Sequence, residues 1–244
     1  MKDPVRHSEP GPIPGGLRRL EEGRKARRYL YPATVLYTVY PLALLALVLR
    51  SRHAVVGVLC FLAGVALWTP LEYVAHRYVL HGRFPASRNL FHQLLHVMFD
   101  STHVEHHQKP WSAEHLSGSF KTTVPVILAL NLPGLLIPWY VWPLLIAGVV
   151  QSFIVEEWVH YSVHFSRRGG RYFEYIRRHH MYHHSAIGSE VAFGLTNGIW
   201  DVVWHTRIPE RHRRKVHGGR ARRAKHHGRA ALLTGSTRST QASS

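Results

Sequence analysis

Long uncharged runs alternate with polar, basic segments along this chain of 244 residues. The first run covers residues 33–49, the second covers 54–71 and the third covers 122–155. About 20 apolar residues cross the hydrocarbon core of a membrane as a helix, so the third run is long enough for two short helices. Its middle holds three prolines, Pro133, Pro138 and Pro143. The pattern predicts four membrane-spanning helices, the last two forming a helical hairpin.

The segments outside these runs predict three parts of the chain. Residues 1–31 are rich in proline, glycine and arginine, and we expect a flexible, basic leader there. Residues 32–206 form the predicted membrane domain. Residues 207–244 are poor in apolar side chains and predict a basic tail that is disordered after Pro209.

The charge balance predicts the topology. The chain carries 31 Lys and Arg against 14 Asp and Glu, a formal charge of +17, which by itself suggests an anionic partner. With four spans, every basic residue except Arg50 and Arg52 falls on one side, which holds 29 of the 31. By the positive-inside rule this side is cytoplasmic and carries both termini. The tail lacks aromatic residues after Trp204, so we expect contact with lipid headgroups and no nucleic-acid partner.

Histidine is the candidate metal ligand. The chain has 21 histidines and a single cysteine, Cys60, which excludes a cysteine-rich metal site. Ten histidines fall into four ordered motifs, HxxxxH, HxxHH, HxxxH and a second HxxHH. In chain order these are His76 and His81, then His103, His106 and His107, then His160 and His164, and finally His180, His183 and His184.

The spacing of the motifs favours ligation from helices. Residues three or four apart share a face of an α-helix, so HxxxH and HxxHH each present imidazoles towards one point. Adjacent histidines diverge by about 100° and can serve two neighbouring metals. The HxxxxH spacing fits a regular helix less well, and we expect that helix to end near His81, before Gly82. Imidazole alone selects no single metal among iron, zinc, copper and nickel.

The order of the four motifs resembles the fatty acid hydroxylase superfamily of membrane non-haem di-iron proteins. It is most similar to the fatty acid 2-hydroxylase-like and carotenoid hydroxylase-like branches. The segment LEYVAHRYVLHG around the first motif and VAFGLTNGIWDVVWHT after the last motif are also similar to that superfamily. The resemblance implies an all-α integral membrane protein whose cytoplasmic helical cap holds a dimetal site in the ten motif histidines. In the run HHMYHH, both His179 and His180 have i,i+4 partners, and the motif order favours His180.

The resemblance also implies a reaction. We expect an O2-dependent di-iron monooxygenase that hydroxylates a C–H bond of a lipid or acyl chain, with zinc as an alternative occupant of the purified protein. No cytochrome b5-like segment is recognisable, so the expected electron donor is external, such as a ferredoxin or a cytochrome b5-type protein. A desaturase or a sterol or carotenoid oxidase of the same superfamily remains an alternative, as does a histidine-rich membrane metal transporter.

Carboxylates near the motifs are candidates for orienting the ligands. Only Glu157 with His160 has the ExxH spacing of soluble di-iron bundles. We therefore expect the acidic residues to accept hydrogen bonds from the far imidazole nitrogens. The candidates are Glu72, Asp100, Glu105, Glu156, Glu157 and Asp201.

Overall fold

Helices make up the regular structure of the described residues, and no strand occurs among them. The structure, a computed structural model, describes residues 15–82, 89–96, 101–115, 120–166 and 169–217. The α-helices are α1 (Gly16–Leu49), α2 (Ala54–Val74), α3 (Leu90–Leu95), α4 (Ser101–Gln108), α5 (Phe120–Asn131), α6 (Trp142–Phe165), α7 (Arg171–His183) and α8 (Ile199–Val203). A π-helical turn, Ala75–Leu80, extends α2, and residues 210–217 are also helical. The predicted all-α class is confirmed.

Within the described parts of the chain, three helices are long and apolar enough to cross a membrane. They are α1, α2 with its π-helical extension, and α6. Many of their large apolar side chains face outwards, as lipid-facing side chains do; Leu42 and Leu59, for example, are 57% and 60% exposed. Helix α5 has 12 residues, a length of about 18 Å against a hydrocarbon core of about 30 Å. The fourth span therefore stays a prediction.

The predicted break between the last two apolar helices lies at the prolines. Helix α5 ends at Asn131, and a 3₁₀ turn, Leu132–Leu135, contains Pro133. Pro143 occupies the first turn of α6, where its missing N–H costs no helical hydrogen bond. The indole of Trp142 donates to the carbonyl of Leu130 at 2.8 Å and ties the two helices together.

Helices α2 and α6 approach each other closely at two glycines. A Cβ added at Gly64 would lie 2.0 Å from the carbonyl oxygen of Leu145, and one at Gly148 would lie 2.1 Å from that of Phe61. Close backbone approach through small residues is the usual way in which membrane helices pack. The contact fixes α2 against α6, and both helices carry motif histidines at their far ends.

The prediction of a flexible leader is wrong for residues 16–31, which form the first half of α1. Gly23, Ala26 and Leu30 are buried on one face of this segment, whereas four of its arginines, Arg18, Arg24, Arg27 and Arg28, are exposed. Small or apolar residues at spacings of three and four are typical of a packed helical face. This pattern is hard to recognise here because the segment is also rich in Arg and Gly. Residues 1–14 lie outside the described residues.

The prediction of disorder after Pro209 is wrong for residues 210–217. They are helical and are tied to α7, since the hydroxyl of Tyr182 lies 2.6 Å from Nδ1 of His212. The guanidinium of Arg178 also donates to the carbonyls of Val216 and His217, each at 3.3 Å. The rest of the predicted tail, residues 218–244, lies outside the described residues.

Candidate metal centre

A π-helical turn brings the first two motif histidines together. In an α-helix, residues five apart differ by about 140° in direction. Here the chain widens to a π-helix, and the His81 N–H donates to the carbonyl of His76 at 3.0 Å. Their ring centroids are 5.1 Å apart. The helix ends before His81, as the sequence predicts, and the π turn explains why the HxxxxH spacing converges. π-helical turns are rare in proteins, and those that occur are often found at functional sites.

The other motif histidines come from three helices. Helix α4 carries His103, His106 and His107, and the last six residues of α6 carry His160 and His164. Helix α7 carries His180 and His183 near its end, and His184 caps it. All of these helices deliver their histidines at one end of the α2–α6 pair, so the site lies at the end of the candidate spans.

The ten imidazoles separate into two groups of five. The ligand atoms within each group all lie within 4.8 Å of one another. The first group consists of His76, His81, His103, His107 and His183; the second consists of His106, His160, His164, His180 and His184. Helices α4 and α7 contribute to both groups. The adjacent pairs His106–His107 and His183–His184 are divided between the groups, as the 100° step of a helix predicts.

The nitrogen–nitrogen distances fit a metal-binding cage. In the first group, Nε2 of His81 lies 2.9 Å from that of His183 and 3.0 Å from that of His103. In the second group, Nε2 of His180 lies within 3.1 Å of three other Nε2 atoms. A neutral imidazole has one N–H, so these contacts cannot all be good hydrogen bonds, and a central cation relieves the repulsion between lone pairs.

The same distances would allow one common ion in each group. With metal–nitrogen bonds of about 2.1 Å, neighbouring ligands of one ion lie about 3 Å apart. Several nitrogen pairs in each group are 2.9–3.1 Å apart. The five histidines of each group could therefore hold one metal ion.

Burial keeps these imidazoles in the neutral form that binds metals. His164 and His183 are fully buried, and His180 is 1% exposed. Burial first, and then the neighbouring imidazoles, hold the pKa of five histidines outside the spans well below its usual value of about 6.5. These are His103, His106, His180, His183 and His184.

Backbone carbonyls orient two imidazoles of the first group. Nδ1 of His76 donates to the carbonyl of Phe193 at 2.5 Å, and Nδ1 of His183 donates to that of Val191 at 2.8 Å. A carbonyl can only accept, so each Nδ1 carries the proton and each Nε2 keeps its lone pair for a metal. Nε2 of His76 is buried and has no hydrogen-bond partner, as expected of an atom that faces a metal position.

The segment that supplies these carbonyls was not identified from sequence. Ala192 lies between them at φ 59°, a conformation that few residues other than glycine adopt. Its N–H donates to the carbonyl of Thr206 at 2.8 Å, which holds the backbone in place. The only sequence signal was the similarity of this segment to the resembled superfamily.

Two carboxylates hold this segment rather than any of the ten motif imidazoles, so the predicted role of Glu72 and Asp201 is wrong. Glu72 accepts from the N–H groups of Leu195 and Thr196, both at 2.6 Å, and from the Thr196 hydroxyl. Asp201 accepts from the N–H groups of Phe193 and Gly194 at 2.8 and 2.9 Å. Asp100 lies outside the described residues, and the role of Glu105, Glu156 and Glu157 stays a prediction.

His179 is separate from both groups. Its Nε2 lies 2.9 Å from a carboxylate oxygen of Asp201, and His180 points into the second group instead. The choice of His180 over His179 as a candidate ligand is consistent with this arrangement. His92 is exposed on α3 and does not join either group.

Residues 61–206 match the fatty acid hydroxylase family. Among similar proteins, the fatty acid 2-hydroxylase of Homo sapiens is 30% identical over 156 residues, which cover 62% of this chain and 40% of that protein. The dihydroceramide fatty acyl 2-hydroxylase FAH1 of Arabidopsis thaliana is 28% identical over 147 residues, 59% of this chain and 58% of that protein. The chain thus spans about two fifths of the human protein.

A solved structure shares the fold. The hydroxylase domain visible in full-length Scs7p superposes with a TM-score of 0.61 at 19% identity, and the match covers 74% of this chain and 67% of that chain. At this identity the likeness concerns the fold alone. The family match covers residues 61–206, which include all ten histidines of the two groups. Taken with the two histidine groups, these findings establish that the chain belongs to the fatty acid hydroxylase family.

Proposed function

We propose that this protein is a membrane-bound, O2-dependent di-iron hydroxylase that inserts a hydroxyl group into a C–H bond of a lipid acyl chain. The observation that carries the proposal is the pair of five-histidine groups within a chain of the fatty acid hydroxylase family. The reaction balances as R–H + O2 + 2 e⁻ + 2 H⁺ → R–OH + H2O. Its two electrons come from an external donor, for which a ferredoxin or a cytochrome b5-type protein is suited.

Iron fits the donor set better than zinc. Protein-bound zinc prefers four ligands in a tetrahedron, whereas each group offers five nitrogens within 4.8 Å of one another. Two iron ions in these groups would supply the redox chemistry that activates O2 for attack on an unactivated C–H bond. The ten ligands proposed are the ten histidines of the two groups.

The protein contributes orientation and exclusion of water. The carbonyls of Phe193 and Val191 fix the tautomer of His76 and His183, so the ring nitrogen that faces the metal position is always the basic one. The imidazoles of His164, His180 and His183 are almost completely buried, which keeps bulk water away from the reacting groups. The second group is buried at all five positions.

The substrate class follows from the relatives and from the position of the site. The similar proteins are named as 2-hydroxylases of fatty acids and of the fatty acyl chain of dihydroceramide. In this protein the histidines lie at the ends of α2 and α6, where an acyl chain can reach them from the membrane. We propose the acyl chain of a membrane lipid as substrate, with carbon 2 as the first position to examine.

The charge distribution supports a cytoplasmic site. Under the four-span topology, 29 of the 31 basic residues share the side that carries the histidine motifs and both termini. A metal transporter would place its ligands along the spans. Here they cluster at one end of them, an arrangement that favours an enzyme of the membrane surface.

Lipid profiling of a host grown under ¹⁸O2, with and without the gene, tests the proposal. We expect a lipid whose acyl chain gains one ¹⁸O-labelled hydroxyl group. His183→Ala, from the first group, and His180→Ala, from the second, should abolish the label, and His92→Ala, on an exposed residue, should retain it. Loss of two hydrogens without label would indicate a desaturase, and label that persists in both His180→Ala and His183→Ala would contradict the proposed site.

A further inference from the structure

An open groove lies between the first half of α1 and the last turns of α6. Its cavity volume is about 680 Å³, within the range of about 300–1,000 Å³ that is usual for pockets that bind small molecules. Two basic residues, Arg19 and Arg27, are among the residues that line it, and no carboxylate does. The groove therefore has the charge that suits an anion.

The two arginines differ in how firmly they are held. Arg19 donates to the carbonyl of His164 and lies over the ring of Trp111, 4.1 Å from its centroid. Arg27 is exposed, and no carboxylate within the described ranges forms an ion pair with it. Glu22, an acidic residue of the same helix, pairs with Lys25 and accepts from the N–H of Ala113. The charge of Arg27 is thus available to a ligand.

The remaining wall of the groove is aromatic. Tyr31, Trp158, Tyr161 and Phe165 line it, and the ring centroids of Tyr31 and Trp158 are 5.8 Å apart. The groove lies where the basic half of α1 meets its uncharged half, after Arg28. Tyrosine and tryptophan concentrate at this level of a membrane, beside the lipid headgroups.

The groove is separate from the metal centre. Ser162 and Ser166 line it, and each follows a motif histidine of α6 by two residues. Two residues correspond to about 200° around a helix, so the groove lies on the face of α6 that points away from the imidazoles of His160 and His164. The groove and the imidazoles thus lie on different faces of α6, and Arg19 connects them through its hydrogen bond to the carbonyl of His164.

We propose that this groove is a binding site for an anionic membrane phospholipid. Its phosphate lies between Arg19 and Arg27, and its acyl chains follow the aromatic wall towards the uncharged half of α1. Basic pockets between membrane helices are suited to anionic headgroups, and the aromatic wall distinguishes a lipid from a free phosphate ion. None of the residues proposed to bind the phospholipid is a proposed metal ligand.

Native mass spectrometry of the detergent-purified protein tests this site. We expect phosphatidylglycerol to remain bound where phosphatidylcholine with the same acyl chains dissociates. Arg27→Gln should weaken retention of phosphatidylglycerol about fivefold, since one basic residue near an anionic headgroup contributes about 1 kcal/mol. Arg28→Gln is the matched control, because Arg28 is exposed on the same helix but does not line the groove.

Three results would overturn the proposal. One is equal retention of phosphatidylglycerol by Arg27→Gln and Arg28→Gln. A second is equal retention of phosphatidylcholine and phosphatidylglycerol by the unaltered protein. The third is displacement of the lipid by millimolar inorganic phosphate, which would indicate an ion site that does not recognise acyl chains. None of these readouts depends on hydroxylase activity, so each outcome is distinct from failure of the proposed function.

Discussion

The buried carboxylates Glu72 and Asp201 accept hydrogen bonds from a backbone segment, and carbonyls of this segment accept hydrogen bonds from motif imidazoles. Asp201 is 1% exposed, and its oxygens accept from two N–H groups, from the Thr206 hydroxyl and from His179. The segment it holds presents the Phe193 carbonyl to His76. Asp201 therefore positions a proposed ligand through an intervening peptide group.

Asp201→Asn should damage the first histidine group. An amide NH2 cannot accept from the N–H groups that Asp201 serves, and each unsatisfied buried group costs about 1–3 kcal/mol. We expect a lower midpoint of thermal unfolding and a lower metal content. Glu210→Gln is the control, because Glu210 pairs with Arg213 and Arg214 at the exposed surface, where an ion pair contributes about 0–1 kcal/mol. Unchanged metal content in Asp201→Asn would refute this role.

The stability of the metal-free protein should fall as the pH drops below about 6.5. The pKa of buried histidines such as His180 and His183 is lowered in the folded state, whereas in the unfolded chain it is about 6.5. Below that pH the unfolded chain binds more protons than the folded chain, so the free energy of unfolding decreases. Thermal unfolding of chelator-treated protein from pH 8 to pH 5 measures this, and a flat profile would count against buried, neutral imidazoles.

The identity of the candidate ligands was accessible from sequence, but their orientation was not. The four motifs place ten histidines at helical spacings, and the structure brings the same ten together. The π-helical turn at His76 depends on one backbone hydrogen bond, and the carbonyl partners of His76 and His183 come from a segment whose side chains do not reveal them. Every residue has a backbone carbonyl, so the sequence does not reveal which carbonyls accept from the imidazoles.

Among the helices, α2 and α6 determine where the histidine motifs at their ends are placed. Their backbones meet at Gly64 and Gly148, and each helix continues from that contact to a histidine motif. The uncharged runs predict both helices, but α6 continues ten residues past the end of its run, to Phe165, and carries His160 and His164 within it. Sequence reasoning missed the helical start of α1 because Gly23 and Ala26, which form its packed face, are also common in flexible segments.

Gly148→Ala should separate α2 from α6. The new Cβ would lie 2.1 Å from the carbonyl oxygen of Phe61, so one backbone must move, at a cost of about 1–3 kcal/mol. Since the two helices carry different histidine groups, we expect lower metal content and a lower unfolding midpoint. Gly16→Ala is the control, because its Cβ would have no heavy atom within 4 Å. Equal metal content in both variants would show that this contact does not set the site.

For the whole molecule, the asymmetry of charge predicts the orientation in the membrane. Only Arg50 and Arg52 lie on the side opposite to the other basic residues under the four-span topology. Reporter fusions test this. Green fluorescent protein at the C-terminus should fluoresce, and alkaline phosphatase inserted after Ser51 should be active. An active phosphatase at the C-terminus would instead indicate an odd number of spans or the reverse orientation.

The ten histidines are proposed to hold two iron ions, one in each group. A count of iron per chain in protein purified from iron-replete cells measures this. We predict two iron ions per chain, fewer in both His180→Ala and His183→Ala, and two in His92→Ala. One iron or none in the unaltered protein, or two in either of the first two variants, would be incompatible with two iron sites built from these histidines.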